Sequence, residues 1–250
     1  MKNFKKNKAF TLSETLIVIT VLGIIAAIIV PSIIQKIQDR QTVTIVKKTF
    51  SMLDNAFQQM FIAEGGPAAW TDIPNPQSTW NMDNANYIGE KLSFYLPVIK
   101  YCGREANCFK YNENTFKTLS LGPTYSSNYT EAAATIAGKM VLKNGATVAV
   151  NSSCAPQLYG TRTDCSDGDL GLGDIRVDIN GEKGPNRVGY DVFYFFFNVH
   201  GLSLGPTRYI RGKYCDKTLD TDSMAGRSCA NWIIKHGNMD YKYRDIQSEW

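Results

Sequence analysis

The stretch that most constrains this chain begins at Lys8 and reads "KAFTLSETLIVITVLGIIAAIIVPSII". From Leu16 to Ile34 it contains no charged residue. About 19 mostly apolar residues in helical form are enough to cross the hydrocarbon core of a bilayer. A cleaved secretory signal would carry a shorter apolar core followed by a small-x-small site. Here the run is followed by "PSIIQKIQDR", so cleavage after the core is not expected. One carboxylate, Glu14, stands at the lip of the run. An acidic residue at the membrane centre costs on the order of 3 kcal/mol, so Glu14 calls for a partner. In the first turn of a helix the macrodipole also favours a negative charge.

The charge distribution is uneven. Lys2, Lys5, Lys6 and Lys8 precede the apolar run, where positive residues hold a segment on the cytoplasmic side. Removing these four from the 27 basic residues leaves 23, which matches the 23 acidic ones, so the remainder is formally neutral. A nucleic-acid binder would carry excess positive charge on its folded part, so nucleic acid is not an expected partner. All six cysteines lie beyond the run: Cys102, Cys108, Cys154, Cys165, Cys215 and Cys229. An even number on the side opposite the lysines suggests an oxidising compartment. There is no C-x-x-C pair, and the chain has only two histidines, which argues against zinc. Six cysteines allow 15 pairings. The short separations favour Cys102–Cys108, Cys154–Cys165 and Cys215–Cys229 without deciding among the alternatives.

The order of residues at the start is lysines, Ala9, Phe10, Thr11, Leu12, Ser13, Glu14, then the apolar run. It resembles the type IV pilin and type II secretion pseudopilin family. The resemblance implies that a prepilin peptidase cuts between Ala9 and Phe10 and that Phe10 is then N-methylated. The residue before the cut is usually Gly in that family and is Ala9 here. The family's acidic residue, four positions after the Phe, falls on Glu14. Its glycine and proline fall on Gly23 and Pro31, between which the helix can melt or stretch in a filament. The resemblance further implies that Glu14 pairs with the new α-amino group at Phe10 of a neighbouring subunit. Phe10 and Glu14 are i and i+4, one helical turn apart. Pro31 removes one helix hydrogen bond, which membrane helices tolerate.

Beyond Pro31 the pattern becomes amphipathic. Val46, Phe50, Leu53, Phe57 and Met60 recur at spacings of three and four and form one helical stripe, expected to pack against a sheet. "EGGP" at Glu64 to Pro67 is a helix stop. A helix from Phe10 to Ala63 would be about 80 Å long. This divides the chain into a leader at 1–9, a hydrophobic transmembrane and assembly helix at 10–34, an amphipathic continuation at 35–64 and a head at 65–250.

In the head, Trp70 to Asn84 reads as loop, and Glu90 to Cys102 as a short helix followed by an extended piece. Lys139 to Val150 reads as a hairpin around Asn144-Gly145. Asp174 to Gly201 reads as two strands around a turn, the second of them, Val192 to Val199, central to the sheet because both its faces are apolar. Cys229 to Tyr241 reads as a further hairpin with Trp232 and Ile234 on one face. One long helix on an antiparallel sheet is an α+β arrangement, and the resemblance makes it pilin-like.

Catalytic signatures are absent from the sequence: it has no P-loop and no H-E-x-x-H. His200 and His236 both sit beside glycine at expected exposed turns. Calcium is the better candidate ligand. Asp164, Asp167, Asp169 and Asp174 form one oxygen-rich stretch, and Asp178, Asn180 and Asp191 bracket the next turn. Asp and Asn also favour turns for purely local reasons. Tyr209, Arg211, Lys213 and Tyr214, read as exposed basic and aromatic residues, are candidates for contact with DNA or a surface glycan, against a plain solvated loop.

The expectation is therefore a structural subunit and not an enzyme. It would be anchored once in a bacterial inner membrane, with its N-terminus cytoplasmic and its head periplasmic, and then enter a type IV pilus or pseudopilus. Implied partners are other pilin or pseudopilin subunits, the prepilin peptidase, the inner-membrane assembly platform and its ATPase. The alternatives are a minor pilin whose head binds DNA, a surface or cargo, and a signal-anchored exoenzyme.

Overall fold

The computed structural model describes residues 11–105, 108–109, 117–121, 137–158, 160–161, 165, 171–203, 214–216 and 224–250. The leader, Phe10 and the acidic residues Asp164, Asp167 and Asp169 lie outside the described residues. The first helix, α1, runs Leu12–Glu64. The chain divides at Gln41 and Thr42 into two compact units, which α1 bridges.

In the first unit every described side chain from Thr11 to Gln38 is exposed. By length and composition this part of α1 can cross a membrane. From Leu16 to Ile34 its two hydroxyls bond back to the helix's own carbonyls: Thr20 Oγ1 donates to Leu16 O at 2.8 Å and Ser32 Oγ to Ile29 O at 2.8 Å. That leaves these side chains satisfied without water, as lipid requires.

In the second unit α1 buries Val46, Thr49, Leu53, Ala56, Phe57 and Met60, with Phe50 half-buried beside them. The helix ends where "EGGP" requires. Gly65 takes a left-handed φ of 77°, and Pro67 opens a short 3-10 turn.

The stripe packs on a six-stranded antiparallel sheet whose strands are neighbours in chain order. They are β1 (Val98–Gly103), β2 (Ala137–Leu142), β3 (Thr147–Ser152), β4 (Gly173–Asp178), β5 (Val192–Asn198) and β6 (Gly201–Ser203). Alternation along β5 sorts its aromatic residues. Phe193, Phe195 and Phe197 join the α1 core, where Phe57 lies 5.3 Å from Phe197 and Phe50 lies 6.3 Å from Phe195. Val192, Tyr194 and Phe196 join a second cluster with Cys102, Cys108, Phe109 and Tyr214. Both faces of β5 are thus covered, and it lies between β4 and the three-residue β6. The β2–β3 hairpin turns at Asn144-Gly145, with Gly145 at φ 86°.

Two elements differ from the sequence reading. The helix expected at Glu90 starts eight residues earlier: α2 runs Met82–Ser93, taking Met82 to Asn84 from the expected loop. Asn81 caps it by accepting from the N–H groups of Asp83 and Asn84, so an Asn-rich tract that reads as loop is a helix start. The expected hairpin at Cys229 to Tyr241 is instead α3, Cys229–His236. Cys229, Trp232 and Ile233 are buried at helical spacing, and Ile234 is half-buried. Gly237, at φ 71°, is a left-handed helix cap and not a hairpin turn. Asn238 then accepts from Trp232 Nε1 at 2.7 Å and from Asp240 N at 3.1 Å.

Three disulfides close the head: Cys102–Cys108, Cys154–Cys165 and Cys215–Cys229. The last ties the start of α3 to residue 215 and is fully buried.

Candidate functional site

Glu14 sits in the first turn of α1 in a reciprocal arrangement with Thr11. The Thr11 N–H and hydroxyl both donate to Glu14 Oε2 at 2.8 Å, and the Glu14 N–H donates to Thr11 Oγ1 at 3.2 Å. This is a capping box written as T-L-S-E, a signal present in the sequence and not used in reading it. Both bonds from Thr11 fall on Oε2, so Oε1 has no hydrogen-bond partner among the described residues.

A Cβ on Gly23 would meet nothing within 4 Å, so nothing in the single chain demands a glycine there. Pro31 lies inside α1 and brings no N–H, which deprives the Ala27 carbonyl of its i+4 donor. Gly23 and Pro31 bracket an exposed stretch of helix with one backbone bond fewer than a regular one.

Over residues 4–30 the chain matches the family described as the prokaryotic N-terminal methylation motif. The chain carries a prepilin-type methylation motif. The matched segment contains Ala9, Phe10, Glu14 and Gly23, and Pro31 follows directly. The match supports the type IV pilin and pseudopilin family, and the head's α+β architecture is pilin-like. No curated protein and no solved structure matches the chain.

The acidic residues of the head separate into two groups. Asp174 is buried on β4, where it accepts from Arg176 Nε at 2.9 Å and Asn151 Nδ2 at 2.8 Å. Four residues along a strand place Asp178 about 13 Å further on. In the turn after β4, Asp191 accepts from the N–H groups of Arg187 at 2.6 Å and Asn186 at 2.8 Å, and from Asn180 Nδ2 at 3.3 Å. Asp178 Oδ1 accepts from Asn180 N at 3.2 Å, and with the Asn186 amide turned over to suit its neighbours its nitrogen donates to Asp178 Oδ2 at 3.0 Å. Asp178, Asn180 and Asp191 are thus brought together, while Asp174 belongs to a different network. Burial pushes the Asp191 carboxyl above its ordinary range, against the pull of these N–H donors. Among the described residues no group of three or more His, Cys, Asp or Glu side chains could hold a metal ion.

His200 is exposed in a turn, as expected. His236 is not: it ends α3 half-buried and stacked on Trp232, with ring centroids 3.8 Å apart. Tyr214, expected on an exposed stretch, is buried in the cluster on the second face of the sheet. Tyr209, Arg211 and Lys213 lie outside the described residues.

Proposed function

We propose that this chain is a structural subunit that assembles through α1 into a type IV pilus or a type II secretion pseudopilus. The observation that carries the reading is the methylation motif placed directly on an exposed, uncharged helical segment. Such a segment needs an apolar environment, first lipid and then the same segments of neighbouring subunits. Cleavage between Ala9 and Phe10 would leave a cationic amine at the membrane-entering end. Glu14 supplies the complementary charge. Its Oε1, not engaged by Thr11, is the atom for a neighbouring subunit's amine. The pair would cancel two charges that are costly separately in low dielectric.

In this reading the prepilin peptidase, the assembly platform and its ATPase act on the chain, and the chain itself catalyses nothing. Before assembly it is a single-pass inner-membrane protein with the head on the periplasmic side, where the disulfides form. Mass spectrometry of the mature N-terminus tests the first step: N-methyl-phenylalanine at position 10 is expected. A membrane-bound chain still starting at Met1 would sink the reading. Glu14→Ala tests the second step. It should be cleaved normally and enter filaments poorly, and normal incorporation would rule out the charge pairing.

A further inference from the structure

The head carries a hollow of about 290 Å³, lined by Pro74, Asp83, Asn86, Tyr87 and Glu90. Four of these are one face of α2, at positions i, i+3, i+4 and i+7. The lining is held in place from behind. The Tyr87 hydroxyl donates to Asp72, and its ring packs on Trp70 with centroids 6.2 Å apart. The Tyr101 hydroxyl donates to Asn86 Oδ1 at 3.1 Å. Gly103 makes room for that approach: a Cβ there would stand 2.6 Å from Asn86 Oδ1. Asp83 is taken up by Arg104. Two groups remain. The Asn86 amide nitrogen and the Glu90 carboxylate have no hydrogen-bond partner among the described residues. They offer a fixed pair of donors and a pair of acceptors one helical turn apart. One residue before the cap Asn81, Trp80 is half exposed.

We propose that this hollow binds a neutral sugar ring within a short sugar chain. Vicinal hydroxyls each donate and accept, which matches an amide donor and a carboxylate acceptor side by side. Pro74 and Tyr87 supply apolar walls for the C–H face of the ring, and Trp80 an exposed aromatic surface for a neighbouring ring. A hollow this small and open takes one ring, not a nucleotide or a drug-sized ligand. The site is independent of α1 and of the assembly reading.

The test uses the full chain in a detergent without a sugar headgroup, titrated with cellotetraose, maltotetraose and N-acetylchitotetraose. A glucosamine tetramer is the cationic control. Of the four tryptophans, Trp70 and Trp232 are buried and the half-buried Trp250 packs against Trp232 with ring centroids 5.3 Å apart, so a change in intrinsic fluorescence on binding should come chiefly from Trp80 and vanish in Trp80→Ala. Saturable binding of at least one neutral probe is expected by calorimetry. It should weaken about tenfold or more in Glu90→Ala, as loss of hydrogen bonds to a charged group implies, with thermal unfolding unchanged. Three outcomes would overturn the proposal. They are no saturation by any neutral probe into the millimolar range, undiminished affinity in Glu90→Ala and Trp80→Ala, or salt-sensitive binding confined to the glucosamine tetramer. The last would make the hollow an ammonium site.

Discussion

Thr11 and Glu14 close the first turn of α1 on each other, each side chain accepting the other's backbone N–H, at 3.2 and 2.8 Å. The residue proposed as an assembly contact is therefore already part of a capping box in the single chain. A second partner must share the carboxylate through Oε1 or displace Thr11. Thr11→Ala is expected to cost about 1 kcal/mol at the helix start, the usual value of such a cap. Amide hydrogen exchange in micelles should show faster exchange for residues 11–14, with Thr11→Ser restoring protection. Unchanged exchange in Thr11→Ala would mean that the box contributes nothing to the turn.

Gly89 of α2 and Gly138 of β2 let helix and sheet approach backbone to backbone. Gly138 has φ 59°, and a Cβ there would stand 2.9 Å from Gly89 Cα and 3.0 Å from Ala85 O. A Cβ on Gly89 would clash with the Gly138 backbone, which cannot move aside as a side chain can. Gly89→Ala should therefore lower stability by more than about 2 kcal/mol in urea unfolding, within the range for overpacked sites. Gly66→Ala, with open space and φ −66°, should change it by less than about 1 kcal/mol.

What could be read from sequence was whatever leaves a periodic or local chemical trace. The apolar run, the stripe from Val46 to Met60, the stop at "EGGP" and the turn at Asn144-Gly145 are of that kind, and each stands where the pattern placed it. Cys229 to His236 misled because a glycine after histidine serves equally as a turn and as a left-handed helix cap. The start of α2 was hidden because Asn81, Asp83 and Asn84 favour loops until one of them becomes a cap. At the amino terminus the motif was legible, and so was the T-L-S-E capping box that gives Thr11 its part, although the acidic residue drew the reading to itself. In the head, Asn86 and Glu90 carry no pattern of their own, and they matter through the hollow that α2 forms with Pro74.

The disulfides differ in burial and in loop length. Cys215 and Cys229 are fully buried and enclose a separation of 14 residues, against 6 for the more exposed Cys102 and Cys108. Chain-entropy arguments give about 3 kcal/mol for the longer loop and about 2 kcal/mol for the shorter. Replacing Cys215 and Cys229 by Ser should lower the urea midpoint more than the same change at Cys102 and Cys108, since it also places two polar groups in the core. Equal or reversed shifts would show that the Cys215 segment retains its position without the bond.

Asp191 makes the last prediction, through pH. Burial raises its carboxyl above the ordinary range, and the donors from Arg187, Asn186 and Asn180 only partly offset this. In the unfolded chain an Asp titrates near about 3.9. A group with a raised folded value binds its proton more tightly when folded. Its contribution to stability is fully present below the unfolded value and is lost as pH rises through the folded one. Asp191→Asn cannot titrate, so the stability of the wild-type chain relative to this variant should fall as pH rises from about 3 to about 7. Urea unfolding of both proteins across that range measures the difference. A flat profile, or one of opposite slope, would mean that the three donors outweigh burial and that the turn after β4 is built around a charged carboxylate.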